Sequence, residues 1–226
     1  MKRFPHLDIV GVIGGIGSGK SEVARRLAGH GGHLIEADKI GHQVLEEPEV
    51  RQRLYQRWGE AVLDQAGRID RRKVAARVFG ETPQAAEELR FLESVVHPRI
   101  GARMCELLEQ IETVARQTGR QLVVVDAAVL LETGWAEWCD ALVFVDAPQE
   151  LRQQRATARG WSATEWRQRE ARQWPLDKKR RYATAVIQND ASLEELRRRV
   201  DSWWESWKGS RTSLPAAGQQ GGDPQS

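Results

Sequence analysis

The sequence predicts an open α/β fold: a parallel sheet of about five strands with helices on both faces, a helical substrate-binding insertion and a helical lid. Three observations carry this. Short β-branched runs apolar on both faces occur at Leu7 to Gly14, Gln121 to Asp126 and Ala141 to Asp146, as strands covered by helices on both sides require. Helical patterns separate them. A glycine-rich turn, GGIGSGKS, joins the first run to an amphipathic stretch.

In chain order, LDIVGVIGG reads as a buried strand running into glycines. Val23, Ala24, Leu27 and Ala28 then share one helical face. Gly31 and Gly32 stop that helix, and HLIEAD, His33 to Asp38, reads as a second strand that ends in a carboxylate. Residues 41–119 are mainly helical, punctuated at Gly67 and at Thr82-Pro83. There Asp70 is expected to cap a helix holding Val74, Ala75 and Val78, and Pro98 to stand in the first turn of another. QLVVVD and ALVFVD are the third and fourth strands, and TAVIQND, Thr184 to Asp190, holds the fifth. A closing helix places Leu193, Leu196, Val200, Trp203 or Trp204, and Trp207 on one stripe. The expected division is a nucleotide-binding core of 7–40 and 120–208 with a lid at about 150–182, a helical insertion of 41–119, and a Gly-, Pro- and Gln-rich disordered tail of 209–226.

Composition narrows the class. Only Cys105 and Cys139 are present and no apolar run approaches a membrane span, so a reduced, soluble, cytoplasmic protein is expected. The formal charge of +2 hides an uneven spread: ten basic residues face three acidic ones between Arg152 and Arg181. That marks one locally anion-seeking segment and argues against a nucleic-acid-coating protein. Oligomeric state stays open.

Gly14-x-x-x-x-Gly19-Lys20-Ser21, between a strand and a helix, fits the P-loop pattern. The backbone N–H groups of Gly15, Ile16, Gly17, Ser18, Gly19, Lys20, Ser21 and Glu22 are placed to surround a polyphosphate at a helix start. Lys20 is expected to reach the outer phosphates of ATP, Ser21 to offer its hydroxyl to Mg²⁺, and Asp126 to act as a second, water-mediated Mg²⁺ contact. Asp38 lies where the acceptor hydroxyl would approach and is the candidate base; Glu36 receives no role. Arg155 and Arg159, four apart after the fourth strand, are candidate lid arginines, whereas Lys178 to Arg181 read as a solvated face. His97 reads as a packed or capping residue and most of the nine tryptophans as core, with Trp58, Trp135 or Trp161 available to line a cleft.

These pieces together resemble the dephospho-coenzyme A kinases over residues 7–208. The resemblance is carried by Gly14 to Ser21 and Ala37-Asp38, by Gly67-x-Ile69-Asp70-Arg71 with Val78-Phe79, and by His97-Pro98-x-Ile100. It continues through Val125-Asp126 to Glu132-x-Gly134, Arg155-x-x-x-Arg159, Gln173-x-Pro175-Leu176 and Val186-Ile187-x-Asn189. It implies transfer of the ATP γ-phosphate to the ribose 3′-hydroxyl of dephospho-coenzyme A, with Asp38 as base, the helical block as acceptor site, Arg155 or Arg159 over the phosphates, and Asn189 near the adenine. Glu36, Ile13 and Glu22 depart from the family's usual Asp, Thr and Thr. The alternatives are another small-molecule kinase, such as a nucleoside monophosphate kinase, or a nucleotide-dependent regulatory NTPase.

Overall fold

The computed structural model describes residues 3–80 and 82–212. Strands β1 (Leu7–Gly14), β2 (His33–Glu36), β3 (Gln121–Asp126), β4 (Ala141–Asp146) and β5 (Ala185–Gln188) form one parallel sheet in the order β2-β3-β1-β4-β5. The central strand is buried on both faces because its residues alternate between two cores. Leu7, Ile9 and Ile13 join Val123, Val125 and Phe144 on one side. Val10 and Val12 join Val124, Val143 and Ile187 on the other.

Helices α1 (Lys20–Ala28) and α9 (Leu193–Thr212) cover the second face through Val23, Ala24, Leu27, Leu196, Val200 and Trp204. The stripe of tryptophans thus resolves to Trp204, which is buried and stacks on His30 at 5.6 Å. Helix α9 runs on to Thr212, past the expected start of the tail; the rest of that tail, 213–226, lies outside the described residues.

The first face carries the helical block α2 (Ala37–Val44), α3 (Pro48–Trp58), α4 (Arg71–Val78) and α5 (Pro83–Thr118). Asp70 caps α4 as expected, accepting from the N–H groups of Arg72 and Lys73. Two expectations need correction. Asp38 does not end a strand: β2 stops at Glu36, and Asp38 stands in the first turn of α2, where a carboxylate meets the positive end of the helix dipole. Nor does Pro98 open a helix, since it lies inside α5, whose N-cap is Thr82 and whose first-turn proline is Pro83.

An interior proline forfeits a backbone hydrogen bond and costs about 3 kcal/mol. Burial on both sides of it outweighs that: Ala85 and Val95 before, Ile100, Met104, Leu108 and Ala115 after. The far end of α5 is fixed by buried Glu112, which accepts from the backbone N–H of His6 at 3.0 Å and lies 2.7 Å from its Nδ1.

The segment expected to form a lid follows β4 as α6 (Gln149–Thr157), α7 (Ala163–Glu170) and α8 (Leu176–Tyr182). Helix α7 begins with a full capping box between Ser162 and Glu165.

Leu108→Ala, which hollows the contact between α5 and the sheet, is expected to lower unfolding free energy by about 2–5 kcal/mol. Urea denaturation followed by circular dichroism measures it.

Candidate active site

The loop between β1 and α1 has almost no slack. Gly17 and Gly19 have φ of 80° and 98°, and no non-glycine residue described has a positive φ. A Cβ at Gly17 would stand 2.3 Å from the Arg152 carbonyl oxygen, and one at Gly19 would stand 2.2 Å from Asn189 Nδ2. Neither position can carry a side chain without moving the lid or the turn after β5. Helix α1 has no side-chain N-cap, so its first N–H groups keep their capacity for an anion.

The loop carbonyls are bound one by one. Lys20 Nζ donates to Gly14 O at 3.1 Å and Gly15 O at 2.8 Å. Trp166 Nε1 donates to Ile16 O at 3.4 Å, and Arg155 Nη1 to Gly17 O at 3.4 Å. Asn189 Nδ2 donates to Ser18 O at 2.7 Å. Ser18 itself is fully buried, and its hydroxyl oxygen has no hydrogen-bond partner.

Charges converge beside this loop at the carboxyl edge of the sheet. Glu36 lies opposite Asp126 in the β2–β3 register and is ion-paired with Lys39. Asp126 is hydrogen-bonded to the Ser21 side chain. Burial pushes its carboxyl above the usual range, Ser21 and Lys20 pull it back, and Asp38 and Glu36 add to the rise. Burial brings the Lys20 ammonium down to about 8 against the pull of Asp126 and Asp38, with nearby Lys179 adding to the fall. Ser21, Lys20, Asp38 and Asp126 therefore share one electrostatic neighbourhood.

Other sequence candidates are placed differently. Glu22 turns to α9, where Arg197 donates to it at 2.9 and 3.1 Å. Partial burial opposes ionisation there, but Arg197 and Arg25 hold the carboxyl below the usual range. Arg155 and Asn189 meet: Arg155 Nη2 reaches Asn189 Oδ1 at 3.3 Å, while the Asn189 N–H donates to Asp146 O at 2.6 Å. Arg159 does not join them, because α6 ends at Thr157 and the Arg159 side chain is exposed.

Two charged residues were missed. Arg152, 4% exposed, is paired with Glu170, whose other oxygen accepts from the Ile16 N–H at 3.1 Å. Lys179 overturns the solvated-face reading of its run. It is 1% exposed, donates to Ala128 O and Gln173 Oε1 at 3.1 and 3.0 Å, and pairs with Glu132 at 3.0 Å. In the same run Lys178 lies over the Trp174 ring, Arg180 pairs with Asp146 at 2.6 Å, and Arg181 stays exposed. The local sequence held no signal for Lys179, since its partners lie up to 51 residues away.

A cleft of about 360 Å³ opens between α5, the segment after β3 and the lid, lined by Glu93, His97, Val129, Glu132, Trp135 and Arg172 among others. His97 meets Trp135 edge-on at 6.0 Å. Burial lowers its pKa, against Glu93.

With this geometry in hand, the comparisons are specific. The family profile described as dephospho-CoA kinase matches residues 8–195. A dephospho-CoA kinase from Deinococcus radiodurans is 40% identical over 198 residues, covering 87% of this chain and 91% of the relative. A crystal structure from Thermus thermophilus superposes with a TM-score of 0.70 at 35% identity, covering 93% of this chain and 100% of the other. The dephospho-CoA kinase of Campylobacter jejuni shares the fold, with a TM-score of 0.59 at 21% identity over 89% of this chain and 97% of its own.

The Lys20 ammonium makes nucleotide binding pH-dependent. Phosphates beside it favour its charged form, so ADP binding at pH 8.5 takes up a proton. Affinity is full below about pH 8 and falls as pH rises further, by at most about tenfold per pH unit. Calorimetric titration of ADP between pH 7.5 and 9.5 is expected to show this fall, and Lys20→Met to flatten it.

Proposed function

Because the chain belongs to the dephospho-CoA kinase family, we propose that its site transfers the γ-phosphoryl group of ATP to the 3′-hydroxyl of the dephospho-CoA ribose, giving ADP and coenzyme A. The observation that carries this reading is the grouping of Lys20, Ser21, Asp126 and Asp38 around one glycine-rich loop at the carboxyl edge of the sheet. Ligands of open α/β sheets gather at that edge.

In the reaction proposed, the remaining N–H groups of the loop and of the start of α1 hold the phosphates of ATP, those of Ile16, Ser18 and Glu22 being engaged by Glu170, Gly15 O and Gly19 O. Lys20 gives up its bonds to Gly14 O and Gly15 O and turns to the outer phosphates. Asp38 accepts the proton of the 3′-hydroxyl as that oxygen bonds to the γ-phosphorus. The bond from this phosphorus to the β,γ-bridging oxygen breaks, and its electron pair leaves with ADP. Arg155 braces the loop from behind through Gly17 O and Asn189. Arg159, exposed beyond α6, needs lid movement to reach the phosphates.

The residues present fit Mg²⁺. A hydroxyl and a carboxylate already bonded to each other, Ser21 and Asp126, suit a small hard cation that takes its other ligands from phosphate and water. Among the described residues there is no all-protein cage of three or more acidic, histidine or cysteine ligands. When bound, Mg²⁺ supplies neutralisation of charge on the phosphoryl oxygens. The block of 41–119 and the cleft beside His97 and Glu132 are the proposed seat of the acceptor. No helix among the described residues is long and apolar enough to cross a membrane.

Asp38→Asn is expected to lower kcat with ATP and dephospho-CoA by roughly 100- to 10,000-fold, the span of a lost general base. ATP affinity should change less than threefold. Retained turnover in this variant would remove Asp38 from the chemistry. Consumption of a nucleoside monophosphate or a shikimate-like alcohol instead of dephospho-CoA would replace the acceptor.

A further inference from the structure

The acceptor cleft contains polar atoms that the protein leaves unmatched. Glu132 Oε1 is fully used, by Lys179 Nζ at 3.0 Å and by the Trp174 N–H at 2.9 Å. Its other oxygen, Oε2, is buried with no hydrogen-bond partner. Across the cleft, Arg172 Nη2 donates to Gly80 O at 3.1 Å, while Nη1 is buried and also without a partner. Groups left so are costly unless something else completes them.

A second observation concerns charge. Arg169 and Arg172 stand over the same ring, Phe79 at the end of α4, at 4.2 and 4.9 Å. Neither forms an ion pair with a carboxylate among the described residues, whereas the two buried cations of the same segment, Arg152 and Lys179, both do. Burial makes the Arg169 guanidinium easier to deprotonate than usual; Glu165 opposes this, and the neighbouring Arg172 charge adds a smaller push in the same direction as burial. Two guanidinium groups gathered on one aromatic ring repel each other. An anion between them reverses the sign of that interaction, and the planar donors of arginine match phosphate oxygens in pairs.

The geometry points to Arg172, assisted by Arg169, as the residue that recognises the diphosphate of the acceptor, with Glu132 Oε2 accepting from a hydroxyl or amino group of the same molecule. This rests on the reading that dephospho-CoA is the acceptor, a molecule whose adenosine is joined to its pantetheine arm through a diphosphate. Phe79 and Gly80 belong to the helical block, and Arg169 and Arg172 to the lid. A diphosphate held here would add to the ties that Arg169 and Arg172 already make to the block through Gly80 O and the Phe79 ring. Arg172 is a specificity residue that acts on binding, away from the reacting atoms.

The test is steady-state kinetics with Arg172→Gln and Arg172→Lys, alongside adenosine, which carries the same 3′-hydroxyl without the diphosphate, as a competitive inhibitor. Arg172→Gln is expected to raise the KM for dephospho-CoA roughly 10- to 100-fold, the effect of losing a hydrogen bond to a charged group. The kcat, the KM for ATP and the Ki of adenosine should stay within about threefold. Arg172→Lys should recover part of the loss. An unchanged KM for dephospho-CoA in Arg172→Gln overturns the inference while leaving the kinase reading intact. So does an equal weakening of adenosine, which would mean that Arg172 only shapes the cleft. If the unsubstituted protein does not phosphorylate dephospho-CoA at all, both the inference and the kinase reading fail.

Discussion

A phosphate loop that turns its N–H groups inward must point its carbonyls outward, and each outward carbonyl needs a donor. That requirement organises the site. Lys20 serves Gly14 and Gly15, Trp166 serves Ile16, Arg155 serves Gly17, and Asn189 serves Ser18. The Glu22 and Val23 N–H groups serve Gly19 within the first turn of α1. Three separate stretches of chain, carrying Arg155, Trp166 and Asn189, are thereby fixed against one loop. Two of its donors, Trp166 and Arg155, come from the lid region, so lid position and loop shape are coupled before any nucleotide arrives. Lys20 and Arg155 differ from the other donors in carrying a positive charge.

The same packing sets the charge balance. Burying Lys20 beside Asp126 and Asp38 leaves a cation whose proton is loosely held and carboxylates that partly repel each other. Such a cluster is costly alone and is relieved by a ligand that brings phosphates and a divalent cation together. Lys179 and Glu132 extend the network from loop to cleft. Glu132, which lines the cleft, is held on one oxygen by Lys179 while its other oxygen is buried without a hydrogen-bond partner. The glycine-rich loop and the cleft are thus linked through side chains of the segment 150–182.

Much of this was legible in the sequence because it is local. Each strand was marked by an apolar run, and the loop by glycines between a strand and a helix. The cap at Asp70 followed from short-range hydrogen bonding. What escaped depended on partners far along the chain. Pro98 looks like a helix start, yet burial on both sides carries α5 through it. Glu22 has a neighbour in Arg25 three residues on, but its shorter bonds are to Arg197, 175 residues away. Lys179 sits in a run of four basic residues, and only the fold separates it from its exposed neighbours. For Asp38 the sequence suggests a strand end where the chain begins a helix, because Asp38 lies only two residues past the end of β2.

The central claim is that this loop and Asp38 direct a phosphoryl group from ATP to one particular alcohol. The most direct test incubates the protein with ATP, Mg²⁺ and dephospho-CoA and determines both the mass of the product and the position of its new phosphate by ³¹P–¹H NMR. The account predicts one ADP per coenzyme A, with the phosphate on the ribose 3′-oxygen. ADP and free phosphate formed without coenzyme A, or phosphate found on another oxygen, would contradict it.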